Sequence, residues 1–352
     1  MTSPARLTIA LLVATPGTTW GGMEQHTADL AGALAERGHS VHVLAHKSYR
    51  DRFPAVVHFH PLPVQLGRRN LWLQLALRRR LRDITPAILH AQGNKAAQLV
   101  SRTGKLARAR IGTVHGTKSS HKAFDRLDAV IAVSPRILAT LRHPRKQLIY
   151  NGVETRNRRL KTDDGPELPT GVTNVIAVGR LESVKGFDTL IRAWATLGES
   201  VSHCHLTIFG EGSQRSQLEQ LIRRLELEHS VTLAGFRDNL ESVYSRAELT
   251  VISSEREGFP YALAESLLNG CPVVSTPVSG PRDLLPETSL SKGHQDRDLA
   301  DLIGRALADL ETLKVRQQPA MAFARETLTI QAMAEQTEAL YLSAVGGHRD
   351  NL

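Results

Sequence analysis

Two carboxylates and two cations carry the chemistry this chain advertises. Glu257 and Glu265 lie in the run SSEREGFPYALAESLLNGCPVVSTPVSGPR, residues 253–282. Arg180 and Lys185 lie in VGRLESVKG, residues 178–186. Two positive charges suit a diphosphate: an arginine grips it bidentately, and a lysine acts as a point charge. The Gly258-Phe259-Pro260 turn opens a short helical pattern, and a helix N-terminus favours an anion. Each feature alone has an ordinary explanation. A Glu beside a helix N-terminus gains about 0.3–1 kcal/mol from the dipole, a mid-helix Glu is usually a solvated face, and loop cations are common. It is their combination that points to an anionic ligand.

The elements that must position these residues are readable. Leu249-Thr250-Val251-Ile252 is an apolar strand, the helix follows, and Pro272–Thr276 is a second strand. About thirty residues is the size of a βαβ unit. Pro260 is expected at the first helical position and Gly270 just past the helix end. Tyr261, Glu265 and Asn269 fall on one polar stripe, while Leu263, Ala264 and Leu267 face the sheet. The helix then starts at the carboxyl end of a strand, the edge where open α/β sheets bind ligands.

The same alternation fills the chain. Continuous apolar runs at 7–14, 41–45, 56–60, 88–93, 111–117, 129–134 and 147–153 read as parallel strands. Gly21-Gly22 opens a helix over 23–36, where backbone can approach a ligand closely. Residues 155–173 have linker composition. Strands then resume at 175–180, 206–210 and 231–236, with helices between. The fold class is α/β, with two doubly wound domains. The expected boundaries are 1–154, a linker at 155–173, 174–330, and a C-terminal helix at 331–352 packing back on the first domain.

The Glu-x7-Glu spacing with Gly-Phe-Pro after the first Glu resembles the group 1 family of retaining nucleotide-sugar glycosyltransferases. That resemblance implies the GT-B fold, two Rossmann-like domains facing each other across a cleft. It gives Glu257 to the donor sugar, the backbone of Gly258, Phe259 and Pro260 to sugar or diphosphate, and Glu265 to the ribose. It gives Arg180 and Lys185 to the diphosphate, neutralising it as the sugar departs. The Gly21-Gly22 loop would face donor sugar and phosphates. His115, in Thr113-Val114-His115-Gly116, resembles the family's sugar-contacting histidine, set opposite Glu257. Two places depart from the family pattern: Glu154 stands where Asp is usual, and the 277–283 turn has Ser279 and Asp283. A nucleotide-sugar 2-epimerase, or a non-catalytic sugar-nucleotide-binding protein, would share the architecture; the epimerase would need a second poised acid–base group that the sequence does not offer.

Composition narrows the partners. The chain has 352 residues, 41% hydrophobic and 22% charged. Residues 1–150 hold 23 Lys and Arg against 7 Asp and Glu, a net +16; the remainder holds 21 against 28, a net −7. A basic first half implies an anionic partner. With 5% aromatics, nucleic acid is not expected. The helix over 71–82 joins Trp72, Leu73 and Leu77 to Arg78, Arg79, Arg80 and Arg82, which suggests an anionic membrane surface. A lipid-linked glycan acceptor, as in bacterial lipopolysaccharide or exopolysaccharide synthesis, follows as an expectation. The apolar run at 7–14 is too short for a membrane span, so a cytoplasmic or peripheral inner-leaflet location is expected. Cys204 and Cys271 are the only cysteines and make no CxxC. No GxGxxG or P-loop occurs, so no nucleotide cofactor is expected. Nor is a metal: Asp296-Arg297-Asp298 opens a helix, where Asp is a natural cap, and alternation splits His203-Cys204-His205 between two faces.

Overall fold

The computed structural model describes residues 6–17, 20–116, 121–154, 168–237 and 240–346. Most of the expected linker (155–167), Thr117 at the end of the fifth apolar run, and the tail from 347 lie outside them. The chain divides into two units, 1–154 with 329–352, and 155–328.

The first unit contains β1 (Thr8–Val13), α1 (Gly22–Glu36), β2 (Ser40–Ala45), β3 (His58–Pro61), α2 (Leu71–Ile84), β4 (Ile88–Gln92), α3 (Gly93–Val100), β5 (Ala109–Val114), β6 (Ala129–Ala132), α4 (Pro135–Thr140) and β7 (Lys146–Leu148). All seven strands are parallel, in the order β3-β2-β1-β4-β5-β6-β7. The order reverses between β1 and β4, and that switch point is where a doubly wound sheet opens for a ligand. β1 is buried along almost its full length, which explains its unbroken apolar run. The last strand is shorter than its apolar run: β7 ends at Leu148, and Asn151 is buried beyond it.

The second unit contains β8 (Thr173–Val178), α5 (Phe187–Leu197), β9 (Cys204–Phe209), α6 (Arg215–Arg224), β10 (Val231–Gly235), α7 (Glu241–Arg246), β11 (Leu249–Ile252), α8 (Tyr261–Leu268), β12 (Val273–Ser275), α9 (Pro281–Leu284), α10 (Asp296–Ala308), α11 (Leu310–Arg316) and α12 (Gln318–Thr327). Its parallel sheet runs β10-β9-β8-β11-β12, with the switch point between β8 and β11. Trp194, Leu206, Ile208, Val251 and Leu302 lie in its core.

The last helix, α13 (Ile330–Gly346), belongs to the first unit. Its Met333, Ala334, Tyr341 and Ala344 join the core that contains Ile9, Leu30 and Leu34. Glu338 accepts from Arg37 Nε at 2.8 Å and pairs with His39 Nε2 at 2.8 Å. His39 Nδ1 accepts from the Leu7 amide at 3.2 Å, so Nε2 is the nitrogen that donates to Glu338. Gly152 is required where the helix arrives, because a Cβ there would lie 2.5 Å from the Thr329 carbonyl oxygen.

Candidate active site

The second unit brings together residues from the carboxyl ends of β8 and β11, the two strands at its switch point. Lys185 follows β8 and Glu257 follows β11. Lys185 Nζ lies 2.6 Å from Glu257 Oε1, with side chains 21% and 12% exposed, so the pair is partly shielded from water. Ser254 Oγ donates to the same Oε1 at 2.7 Å. Glu257 Oε2 is left without a partner among the described residues.

Backbone contacts zip the two loops together. Ser253 Oγ donates to the Lys185 carbonyl at 2.8 Å, and the Glu255 amide donates to the Val184 carbonyl at 2.9 Å. Gly186 has φ +62°, and a Cβ there would lie 2.3 Å from the Ser253 carbonyl oxygen. Only glycine allows both that conformation and that approach. Thr276 Oγ1, beyond β12, donates to the Ser254 carbonyl at 2.6 Å. The carboxylate is thus held by a scaffold rather than by a free loop.

Arg180 follows Gly179 at the end of β8. It is exposed and has no ion pair among the described residues. A Cβ on Gly179 would meet Lys185 Cδ at 3.5 Å, so the two cation-bearing stretches adjoin. Arg180 does not take part in the Lys185–Glu257 contact.

The start of α8 differs from expectation by one position. Pro260 is the N-cap, with φ −72° and ψ 131°, rather than the first helical residue. Its extended ψ keeps it outside the helix, and its side chain caps nothing. The Leu263 amide donates to the Pro260 carbonyl at 3.2 Å, so the helix opens from the proline's backbone rather than from a side chain. Phe259 is buried. Gly280, with φ +92°, packs on this turn; a Cβ there would lie 2.8 Å from Pro260 Cδ. In the departing 277–283 turn, Asp283 Oδ2 accepts from the Gly280 amide at 3.0 Å and caps α9.

Glu265 is not a solvated mid-helix residue. Although its residue surface is only partly covered, its carboxylate lies among buried groups, and burial raises its pKa against the opposing hydrogen bond from Tyr244. Tyr244 Oη donates to Oε2 at 2.7 Å. Burial and the neighbouring Glu265 charge push the Tyr244 phenol well above its usual range. No sequence pattern singled out Tyr244 or Ser254.

In the first unit, Gly21 is the N-cap of α1 in extended backbone, φ −142°. Its amide is already taken by Glu24 Oε2 at 3.0 Å. His115 emerges from β5 into a group of histidines that the sequence scatters. His26 on α1 meets it edge-to-face, with ring centroids 4.8 Å apart. His115 Nε2 donates to Gln92 Oε1 at 2.7 Å, with the Gln92 amide oriented as placed; Nδ1 is then the acceptor. Burial pushes the His115 pKa well below its usual value, and the nearby His26 and His90 add to the effect. Burial lowers His26 to about 4, with a polar contact from Asn151 offsetting part of it, although neither His26 nitrogen has a hydrogen bond of full geometry. His90 is lowered to about 3, burial first and the His26 charge second. His90 bonds Tyr341 Oη at 2.5 Å and Thr113 Oγ1 at 2.7 Å.

Among the described residues no group of three or more His, Cys, Asp or Glu is placed to hold a metal ion. Asp296 Oδ1 accepts from the Arg297 amide at 2.9 Å at the start of α10. His205 bonds Thr232 at 2.9 Å while Cys204 is buried.

Comparison with known proteins agrees with this architecture. The model of glycosyl transferases group 1 matches residues 160–320, and that of glycosyltransferase family 4 matches residues 20–157. The lipopolysaccharide core biosynthesis glycosyltransferase LpsE of Rhizobium meliloti is 27% identical over 74% of this chain and 77% of its own. Sucrose-phosphate synthase from Thermosynechococcus elongatus superposes with a TM-score of 0.82 at 21% identity, covering 97% of this chain and 100% of that one. Anabaena HepE, solved in complex with UDP and glucose, gives 0.79 at 19% identity, covering 96% and 100%. The two sheets, their switch points and these matches agree: residues 160–320 match the glycosyl transferases group 1 family, residues 20–157 match glycosyltransferase family 4, and the chain has the GT-B fold.

Proposed function

We propose that this glycosyltransferase moves a hexose from a nucleotide-diphosphate sugar to a glycan or lipid-linked glycan, with retention of anomeric configuration. The observation that carries this is the Lys185–Glu257 contact at the β8/β11 switch point, beside the N-terminus of α8, whose N-cap Pro260 has no capping side chain. A sugar diphosphate presents what such a site recognises: two negative charges next to a ring of hydroxyls. Lys185 and the exposed Arg180 face the diphosphate, with the first amides of α8. Glu257 Oε2 accepts from a sugar hydroxyl, and Glu265 Oε1 from the ribose. His115, whose burial favours the uncharged ring, offers Nδ1 to a further sugar hydroxyl.

The sugar C1–O bond to the diphosphate breaks while the acceptor oxygen forms its bond to C1 on the same face. The acceptor proton passes to the departing phosphate oxygen. Arg180, Lys185 and the helix amides stabilise the charge that develops there, which is electrostatic catalysis. Two cations and the helix end meet that charge, so turnover proceeds without a divalent metal.

HepE binds UDP and glucose, which supports a UDP-sugar as the first donor class to try. LpsE acts in lipopolysaccharide core biosynthesis, which supports a cell-envelope acceptor and a place at the inner leaflet. No helix among the described residues is long and apolar enough to cross a membrane, so that placement is peripheral.

The test is a panel of UDP-, GDP- and ADP-sugars screened by thermal shift, followed by turnover of the stabilising donor. Glu257→Ala should cut kcat about a hundredfold or more while the protein stays folded. Near-normal turnover of Glu257→Ala, or epimerised donor in place of transfer, overturns the assignment.

A further inference from the structure

Helix α2 presents to solvent what a helix on a sheet normally hides. Leu73, Leu77 and Leu81 face inward and are fully buried. The expectation that Leu73 and Leu77 flank the arginines as a surface patch is therefore wrong; they belong to the core. The outward face is apolar through other residues. Leu71, Trp72 and Leu75 are 73%, 77% and 58% exposed. They are three of the seven large apolar side chains exposed among the described residues, and they share one stripe.

The rest of that face is cationic. Residues 71, 75, 79 and 82 are neighbours along one side at helical spacing, opposite 73, 77 and 81. Arg79 and Arg82 therefore continue the stripe that Leu71 and Leu75 begin, and both are exposed. Arg68 and Arg69, exposed just before the helix, place two more cations at its apolar end. Asp83 is the one acidic residue of α2, and Arg80 lies 3.9 Å from it. The helix does not need the apolar face for its own stability. Asn70 caps its start by accepting from the Leu73 amide at 3.1 Å, and Thr85 ends it in the left-handed region.

We propose that the outward face of α2 docks on an anionic lipid bilayer, with Leu71, Trp72 and Leu75 seated among the acyl chains and Arg68, Arg69, Arg79 and Arg82 against the phosphates. This deepens the membrane placement proposed above by naming the surface that makes it. A bilayer fits the shape of the patch. Three apolar side chains flanked by cations at both ends match an interfacial helix lying in the headgroup plane. One stripe of a helix about 21 Å long is narrow for a stable protein interface, which covers about 800 Å² on each partner. The net +16 of residues 1–150 gives the sign of the partner's charge.

The experiment uses the full chain without any sugar nucleotide, so its outcome is independent of the donor. Vesicles of phosphatidylglycerol and phosphatidylcholine, and of phosphatidylcholine alone, are sedimented with the protein at low and high salt. Binding is expected to the anionic vesicles, weakening with salt. Brominated lipid should quench the fluorescence of wild type but not the corresponding signal of Trp72→Phe. The exposed-site triple variant Leu71→Ser, Trp72→Ser, Leu75→Ser should lose partitioning by about tenfold or more with an unchanged melting temperature. Arg79→Gln with Arg82→Gln should flatten the salt dependence. Absence of vesicle binding, or undiminished binding by the triple variant, overturns the proposal, including the case in which α2 captures a protein instead. A donor that turns over on a soluble acceptor while vesicles go unbound would leave the transferase reading standing and remove this one.

Discussion

Acid should unfold the first unit well before it affects the second, because the first unit buries histidines that must stay uncharged. His26 and His90 have folded-state values of about 4 and about 3, against an ordinary value of 6.5. The sign follows from linkage. Each base is held below its unfolded value, so the unfolded chain binds the proton first. The stability each ring contributes is complete above about pH 6.5 and is lost as pH falls toward the folded value. Between pH 7.5 and pH 5 each ring costs roughly 2 kcal/mol, about 4 kcal/mol for the two. That is a large share of a domain stability of about 5–15 kcal/mol. His115 is pushed the same way and adds to the loss. The assay is urea denaturation of Trp194→Phe at the two pH values. Removing the buried Trp194 of the second unit leaves two tryptophans, both in the first: exposed Trp72, and Trp20, whose edge-on packing against Tyr49 and Phe53 makes it the reporter of unfolding. The urea midpoint should fall markedly at pH 5, and His90→Gln should remove about half of the fall while keeping polar contact with Tyr341 or Thr113. Equal midpoints at both pH values, or NMR titration of the two rings near pH 6.5, would refute the reasoning.

Tyr244→Phe removes the hydrogen bond to Glu265 at unchanged shape. A bond to a charged group contributes about 1.5–3 kcal/mol, so melting should fall and donor KM should rise while kcat changes little. The Glu265 pKa should climb further, moving the acid limb of donor binding to higher pH; an unshifted limb with weakened binding would mean Tyr244 acts through packing alone. Gly186→Ala should cripple the second unit, because its φ is +62° and a Cβ would strike the Ser253 carbonyl at 2.3 Å. A soluble, fully active Gly186→Ala protein would show that the β8 and β11 loops need not touch.

The strands were legible because parallel strands buried on both faces leave continuous apolar runs, as at Leu7–Ala14 and Leu249–Ile252. The two-domain division was legible from the alternation restarting after a polar, period-free stretch. Contacts across the sequence were not. Lys185 and Glu257 stand 72 residues apart, and only the strand order β8-β11 makes them neighbours. His26, His90 and His115 looked like isolated residues; they meet because α1, β4 and β5 are neighbours in the unit, and nothing in residue spacing encodes that order. Tyr244 carries no pattern at all, since a buried Tyr beside a buried Glu is a tertiary pairing. The error at α2 had a different origin. Leu73 and Leu77 are near the arginines along the chain, but 3.6-residue periodicity turns them to the opposite side.

The Lys185–Glu257 pair also bears on how a diphosphate would be admitted. A lone lysine with a side chain only 21% exposed would carry a desolvation cost before any ligand arrived. Here the carboxylate offsets that cost, and it does so through one oxygen, shared with Ser254. On the proposed reading, a diphosphate would meet a Lys185 already paired with a carboxylate, while Glu257 Oε2 would be left for a hydroxyl. Exposed Arg180, which has no such partner among the described residues, is the cation free to make the first encounter. Removing Glu257 would therefore do more than delete a sugar contact: it would leave Lys185 dependent on the ligand alone, and donor affinity and turnover would respond by different amounts.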